Sequence, residues 1–238
     1  MKIASHQIQA HRGASGAFPE NTLRAFREAE AAGATSIETD LSLLADGTLA
    51  LFHDPKLGRT VPGSAAISTF TADEVSRLDA GGWRGAEHAG EPVPLMRDIL
   101  DWQETNNLAF NWEMKCHGDE QLAAAEALAT HLESRDITRS LVSSFDALFL
   151  AEIEAVLPAL PRALICEELP GGWPTLGHNL ALSAFHLDHE HTTAACVRDL
   201  HDAGYLVRVY TVNDRDDMQR MLDIGVDVII TDYPERWL

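Results

Sequence analysis

Eight short apolar runs punctuate this chain, and amphipathic stretches of helical period separate most of them. The runs fall at residues 8–11, 36–41, 108–115, 140–144, 162–166, 182–187, 206–212 and 227–231, and each reads as a strand. Residues 21–32 form the first predicted helix, with Leu23, Phe26 and Ala29 on one face and Gly33 placed to stop it. Residues 120–134, 146–157, 192–203 and 214–224 repeat the pattern, the last two followed by Gly204 and Gly225. Eight strands alternating with helices in 238 residues is the count of a single-domain α/β TIM (β/α)8 barrel spanning 1–238. An open doubly wound sheet shares the alternation, but no glycine-rich turn follows the first strand here.

The rhythm fails between about residues 42 and 107, where Gly81, Gly82, Gly85, Gly90, Pro92 and Pro94 mark loops. Thr71 and Glu74 have the spacing of a capping box for one short helix. This segment reads as a small insertion after strand two that caps the barrel mouth. With few large apolar side chains it is a poor candidate for an independent domain.

Charge limits the partners. The 18 basic residues against 37 acidic ones leave a net charge of −19, which gives no footprint for nucleic acid or stable association with an anionic membrane. No apolar run approaches the ~20 residues of a membrane span, and the first ten residues lack the apolar core of a signal peptide. Cys116, Cys166 and Cys196 are scattered and form no CxxC pair, so a reduced, cytoplasmic setting is expected.

Catalytic groups of a barrel lie at the C-terminal ends of its strands. Here the first of these ends carry His11 and Arg12, then Glu38 and Asp40, then Glu113 and Lys115. A period of two puts Glu38 and Asp40 on one face, and Glu113 and Lys115 on one face, while Trp112 and Met114 turn toward the helices. Three carboxylates in one mouth repel each other unless a cation joins them, and all-oxygen ligands suit a divalent cation such as Mg2+ or Ca2+. The competing reading is an ion-pair network in which Glu38 or Asp40 meets Arg12 or Lys115. Asp46 and Gly47 favour a two-residue type I′ hairpin turn; centred there, it sets His53 opposite Asp40 and so beside the mouth.

Two imidazoles, two basic groups and a hard cation suit displacement at phosphorus. One histidine takes a proton from the nucleophile and the other gives one to the leaving oxygen; an imidazole, titrating at about 6.5, serves either role. Arg12 can grip a phosphate in bidentate fashion and Lys115 can add a point charge.

These residues belong to a longer series: His11-Arg-Gly13, Pro19-Glu-Asn-Thr22, Ile37-Glu-Thr-Asp-Leu41, Asp46-Gly47, His53-Asp54, Arg59-Thr60, Glu113-Met-Lys115, Ser144-Phe145, Tyr210-Thr-Val-Asn213 and Gly225-Val-Asp227 through Ile230-Thr-Asp232. In order and over essentially the whole chain, the series resembles the glycerophosphodiester phosphodiesterase family. It is most like the bacterial cytoplasmic form associated with glycerol-3-phosphate uptake, which also has Tyr before Thr-Val-Asn. The resemblance implies a (β/α)8 barrel with a small insertion that uses a divalent metal to hydrolyse a small-molecule glycerophosphodiester to sn-glycerol 3-phosphate and an alcohol. It implies His11 and His53 as the acid/base pair, Glu38, Asp40 and Glu113 as metal ligands, and Arg12 and Lys115 as phosphate contacts. Arg97 and Val61-Pro62-Gly63 depart from the pattern, both within the insertion, where they bear on the leaving-group pocket.

Two rivals share the scaffold: a phosphodiesterase acting on another diester, such as a lysophospholipid, and a non-catalytic phosphate-ligand binder. An acid/base pair speaks against the binder. The run from His186 to His191 matches no zinc spacing, and His186 or His189 could instead touch the glycerol. Trp83 reads as a wall of the mouth or an anchor of the insertion, Tyr210 as pocket lining or core, and Cys116 as non-catalytic.

Overall fold

The computed structural model describes residues 2–238. Its strands are β1 (Ile8–His11), β2 (Ser36–Leu43), β3 (Leu49–Leu51), β4 (Ala109–Lys115), β5 (Ser140–Ser144), β6 (Arg162–Cys166), β7 (Ala184–Asp188), β8 (Leu206–Tyr210) and β9 (Val228–Thr231). The α-helices are α1 (Leu23–Ala31), α2 (Ala72–Val75), α3 (Met96–Asn106), α4 (Gln121–Leu132), α5 (Ala147–Val156), α6 (Trp173–Asn179), α7 (Ala194–Asp202) and α8 (Arg215–Asp223). All strands except β3 pair in parallel, and β1 bonds both β2 and β9, so the eight close into a barrel. Closure leaves no free edge, and the chain returns between strands through helices, as parallel pairing requires.

Local sequence explains the elements. Thr22 caps α1, its Oγ1 accepting the Ala25 N–H at 3.2 Å, and Gly33 ends that helix with φ of 102°. On β4, Phe110, Trp112 and Met114 are buried outside the barrel; Phe110 and Trp112 stack 4.6 Å apart. The alternate residues Asn111, Glu113 and Lys115 therefore turn inward, as a period of two demands. Among the described residues no helix is long and apolar enough to cross a membrane.

Three details depart from the sequence reading. The segment expected as an insertion over 42–107 ends in α3, an 11-residue barrel helix that buries Met96, Ile99 and Leu100 against the main core. The preceding Pro92 and Pro94 conceal its start. A second helix, α6, lies between β6 and β7 where none is evident from a sequence rich in Gly and Pro. Most of the remaining insertion folds over its own apolar cluster, including Phe52, Leu57, Val61, Ile67 and Val75. The Thr71–Glu74 capping box is formed.

The hairpin of β2 and β3 is one residue out of the expected register. Leu41 faces Leu51 and Leu43 faces Leu49, so Phe52 rather than His53 comes back to Asp40, bonding its carbonyl at 3.1 Å. The turn holds three residues, 45–47, with the Leu44 N–H on the Thr48 carbonyl and Gly47 at φ of 79°. Tertiary bonds favour the longer loop. The Ala45 N–H reaches the Phe70 carbonyl, and Asp46 accepts the Ala72 N–H at the head of α2.

Candidate active site

The mouth at the C-terminal ends of the strands opens into a cavity of about 170 Å³. His11, Arg12, Glu38, His53, Glu113 and Lys115 line it, and Asp40 lies buried directly beneath Arg12 and Lys115. The seven residues expected to carry acid/base, phosphate or metal roles are thus in one place. His53 arrives despite the register error, because the chain leaves β3 after Leu51 and crosses the mouth as a loop.

Each histidine is held by a carboxylate. Nδ1 of His11 lies 2.6 Å from Asp232 Oδ1, and Nδ1 of His53 lies 2.7 Å from Asp54 Oδ1. A carboxylate at Nδ1 fixes the tautomer with the proton there and leaves Nε2 as the working atom. Asp232 also accepts from Ser15 at 3.0 Å and from Asn213 Nδ2 at 2.6 Å. Burial would raise its pKa, but His11 foremost, then the bonds from Asn213 and Ser15, hold it down at about 2.

The carboxylates and cations form a tight, unequal cluster. Oxygens of Glu38, Asp40 and Glu113 lie within 4.8 Å of one another, all buried. Asp40 takes Arg12 Nε at 2.9 Å, Lys115 Nζ at 3.2 Å and Asn21 Nδ2 at 2.8 Å, and these hold its carboxyl far below the usual range despite burial. Glu38 fares differently. Burial first, then repulsion from Asp40 and Glu113, drives its carboxyl well above the usual range, and its Oε1 has no partner among the described residues. Lys115 also pairs with Glu113. The ion-pair network and the carboxylate cluster are therefore one object, with three acids sharing two cations.

That imbalance bears on a metal. An all-oxygen set with one repelled carboxylate, whose Oε2 accepts the Arg12 N–H at 3.1 Å while its Oε1 is unpartnered, fits a hard divalent cation, which would relieve the repulsion. Glu38, Asp40 and Glu113 are the residues that would hold it. The region from His186 to His191 offers no comparable cluster among the described residues. His186 lines the cavity, whereas His189 faces Asp217 and Arg220 outside it.

A supporting layer escaped the sequence reading. Glu20 links Arg12 at 2.7 Å to Arg59 at 2.6 Å, and Arg59 Nε reaches Asp54 at 2.8 Å, so one chain of ion pairs runs from Arg12 to His53. Asn21 accepts from Thr39 and donates to Asp40. Arg12 itself has φ of 54°, a left-handed conformation that costs energy outside glycine and is held by the bonds around it. The signals were adjacency (His53-Asp54) and strand-end position (Asp232). Trp83 is partly exposed and bonds within its own loop, and Cys116 is packed against the core with its thiol pushed up to about 12 by burial and nearby acids. Cys116 does not join the site, while Tyr210 lines it and Trp83 walls a neighbouring cavity shared with His11, Arg12 and Asp232.

A barrel whose mouth combines paired imidazoles, basic groups and a carboxylate cluster defines a phosphoric-ester hydrolase class of site. The model of the glycerophosphoryl diester phosphodiesterase family matches residues 11–236, and the chain belongs to that family. It is 31% identical over 234 residues to a glycerophosphodiester phosphodiesterase of Bacillus altitudinis, covering 97% of this chain and 96% of that one. It is likewise 31% identical to one of Caldanaerobacter subterraneus, covering 96% and 94%. Among solved structures, an Oleispira antarctica phosphodiesterase in complex with the product sn-glycerol-3-phosphate matches with a TM-score of 0.92 and 30% identity, covering 97% of this chain and 94% of that one. The protein is a phosphodiesterase of this family.

Proposed function

We propose that the protein hydrolyses glycerophosphodiesters to sn-glycerol 3-phosphate and an alcohol, with Mg2+ or Ca2+ held by Glu38, Asp40 and Glu113. The observation that carries this reading is a single cavity flanked by two imidazoles, each anchored at Nδ1 by its own carboxylate. Anchored this way, His11 and His53 divide the work, one accepting the proton of the attacking hydroxyl and the other protonating the leaving oxygen. Arg12 and Lys115 supply fixed positive charge where phosphate charge builds up. The cation, when bound, adds positive charge against the phosphoryl oxygens. Three half-buried free cysteines support a reducing, cytoplasmic setting.

The test is release of glycerol 3-phosphate from glycerophosphocholine with Mg2+ or Ca2+, with and without EDTA, by wild type and His11→Ala. Turnover by the wild type alone, lost on chelation, is the expected result. Tight binding without turnover would make the protein a phosphate-ligand binder, and turnover indifferent to EDTA would remove the cation.

A further inference from the structure

Part of the cavity lining carries no charge. Asn111, which stands beside Glu38 across the β2–β4 pairing, His186 and Tyr210 belong to it, and among the described residues both amide atoms of Asn111, Nε2 of His186 and the Tyr210 hydroxyl have no protein partner. Asn111 and His186 are each only 1% exposed. Buried polar atoms left unpaired are costly, so several in one lining call for an explanation. The groups are neutral. His186 sits beside Arg208 across the β7–β8 pairing, and burial together with that guanidinium holds its imidazole uncharged. Neutral donors and acceptors side by side match hydroxyl groups, which both give and take hydrogen bonds.

The depth of this wall is fixed by the strands. Asn111 precedes Glu113 by two residues on β4, which places it about 6.6 Å further into the barrel. Inside the barrel Leu141, which pairs with Asn111 across β4–β5, clusters with Ala163 and Ala184, all three buried, and Arg208 lies beside His186. A substrate whose phosphate meets His11, Arg12 and Lys115 therefore extends its carbon chain toward a floor of these neutral polar groups, with the small apolar cluster beside them.

We propose that His186 and Asn111 read the terminal hydroxyl of the glycerol unit, and so select deacylated diesters over lysophospholipids. The inference rests on the cavity holding a glycerophosphodiester. An acyl chain on that hydroxyl would take away the hydroxyl donor that the floor pairs with and drive its methylenes against the packed interior of the barrel. The distinction is steep where a site is built to hydrogen-bond a hydroxyl, because its absence leaves buried partners unpaired again.

The test compares glycerophosphocholine with the matching phosphocholine diester of propane-1,2-diol, which keeps the hydroxyl next to the phosphate-bearing carbon and lacks the terminal one. Wild type is expected to favour the glycerol diester by about tenfold or more in kcat/KM. His186→Leu and Asn111→Leu lose that preference through the glycerol diester alone, with turnover of the propanediol diester kept within about twofold. Both variants keep or raise the Tm of the unliganded protein, since each removes an unpaired buried polar group. His186→Gln, which restores a hydrogen-bonding group, recovers part of the preference. Equal wild-type rates on the two diesters, equal losses on both in the variants, or ready turnover of 1-acyl lysophosphatidylcholine would each overturn the floor. A wild type inactive on glycerophosphocholine but active on bis(p-nitrophenyl) phosphate overturns the functional reading, and the floor with it.

Discussion

Asp232 and His11 are 221 positions apart in the chain, yet Oδ1 of one lies 2.6 Å from Nδ1 of the other. Barrel closure causes the meeting. With Ala10 opposite Thr231 across the β1–β9 pairing, the next residue of each strand reaches the same point of the mouth. Replacing Asp232 by Asn keeps the shape but removes the charge that holds the His11 proton on Nδ1. A loss of about 10²–10⁴ in kcat is expected with the fold intact by circular dichroism. A variant with wild-type kcat would leave Asp232 a purely structural acid.

The same carboxylate sets part of the acid stability. Its pKa is lowered from 3.8 to about 2 in the fold, so the unfolded chain binds the proton first as pH falls. The stabilisation is complete above pH 4 and is lost as pH falls toward 2. Asp232→Asn removes it, and its Tm is expected to fall less steeply than that of wild type across this window.

Glu38 gives the sharpest test for a cation. Repelled by Asp40 and Glu113 and buried with an unpartnered oxygen, it weakens the metal-free protein. Glu38→Gln is expected to raise Tm in EDTA while abolishing the stabilisation that millimolar Ca2+ or Mg2+ gives the wild type. At a hundredfold excess over Kd that stabilisation is about 2.7 kcal/mol. An unchanged response of the variant to either ion would dismiss Glu38 as a ligand.

How much of this was legible follows the range of the interactions. Strand periodicity exposed Glu38, Asp40, Glu113 and Lys115, because alternation along one strand is a local property. The Asp-Gly hairpin was visible, but its loop length was not, since the bonds from Ala45 to Phe70 and from Asp46 to Ala72 depend on a segment folded over it. Helix α3 was masked by prolines that lie just before it. The pairing of His11 with Asp232 required knowing that β9 closes on β1. No local pattern carries that, although strand count and strand-end position together imply it.

Arg59 connects the insertion to the chemistry. It bridges Glu20, which holds Arg12, to Asp54, which holds His53. Being half-exposed, it contributes little to stability, on the order of 1 kcal/mol or less. Arg59→Met frees both carboxylates from their shared cation, and a fall of roughly tenfold in kcat is expected with a nearly unchanged Tm. A collapse of Tm with kcat preserved in the surviving fraction would assign Arg59 to folding rather than to positioning.

The buried His186 predicts a second pH effect at neutral range. Burial and the nearby Arg208 hold its imidazole well below 6.5 in the folded chain, while in the unfolded chain it titrates normally. Below the unfolded pKa only the unfolded state takes up this proton, so stability falls as pH drops from about 6.5, by up to about 1.4 kcal/mol per pH unit for this one site. Above that pH the effect vanishes. Urea unfolding at pH 7.5, 6.5 and 5.5 measures it, and His186→Leu is expected to flatten the decline by that amount. If the wild type and the variant decline in parallel, His186 is protonated in the fold, and its neutrality toward the cavity is disproved.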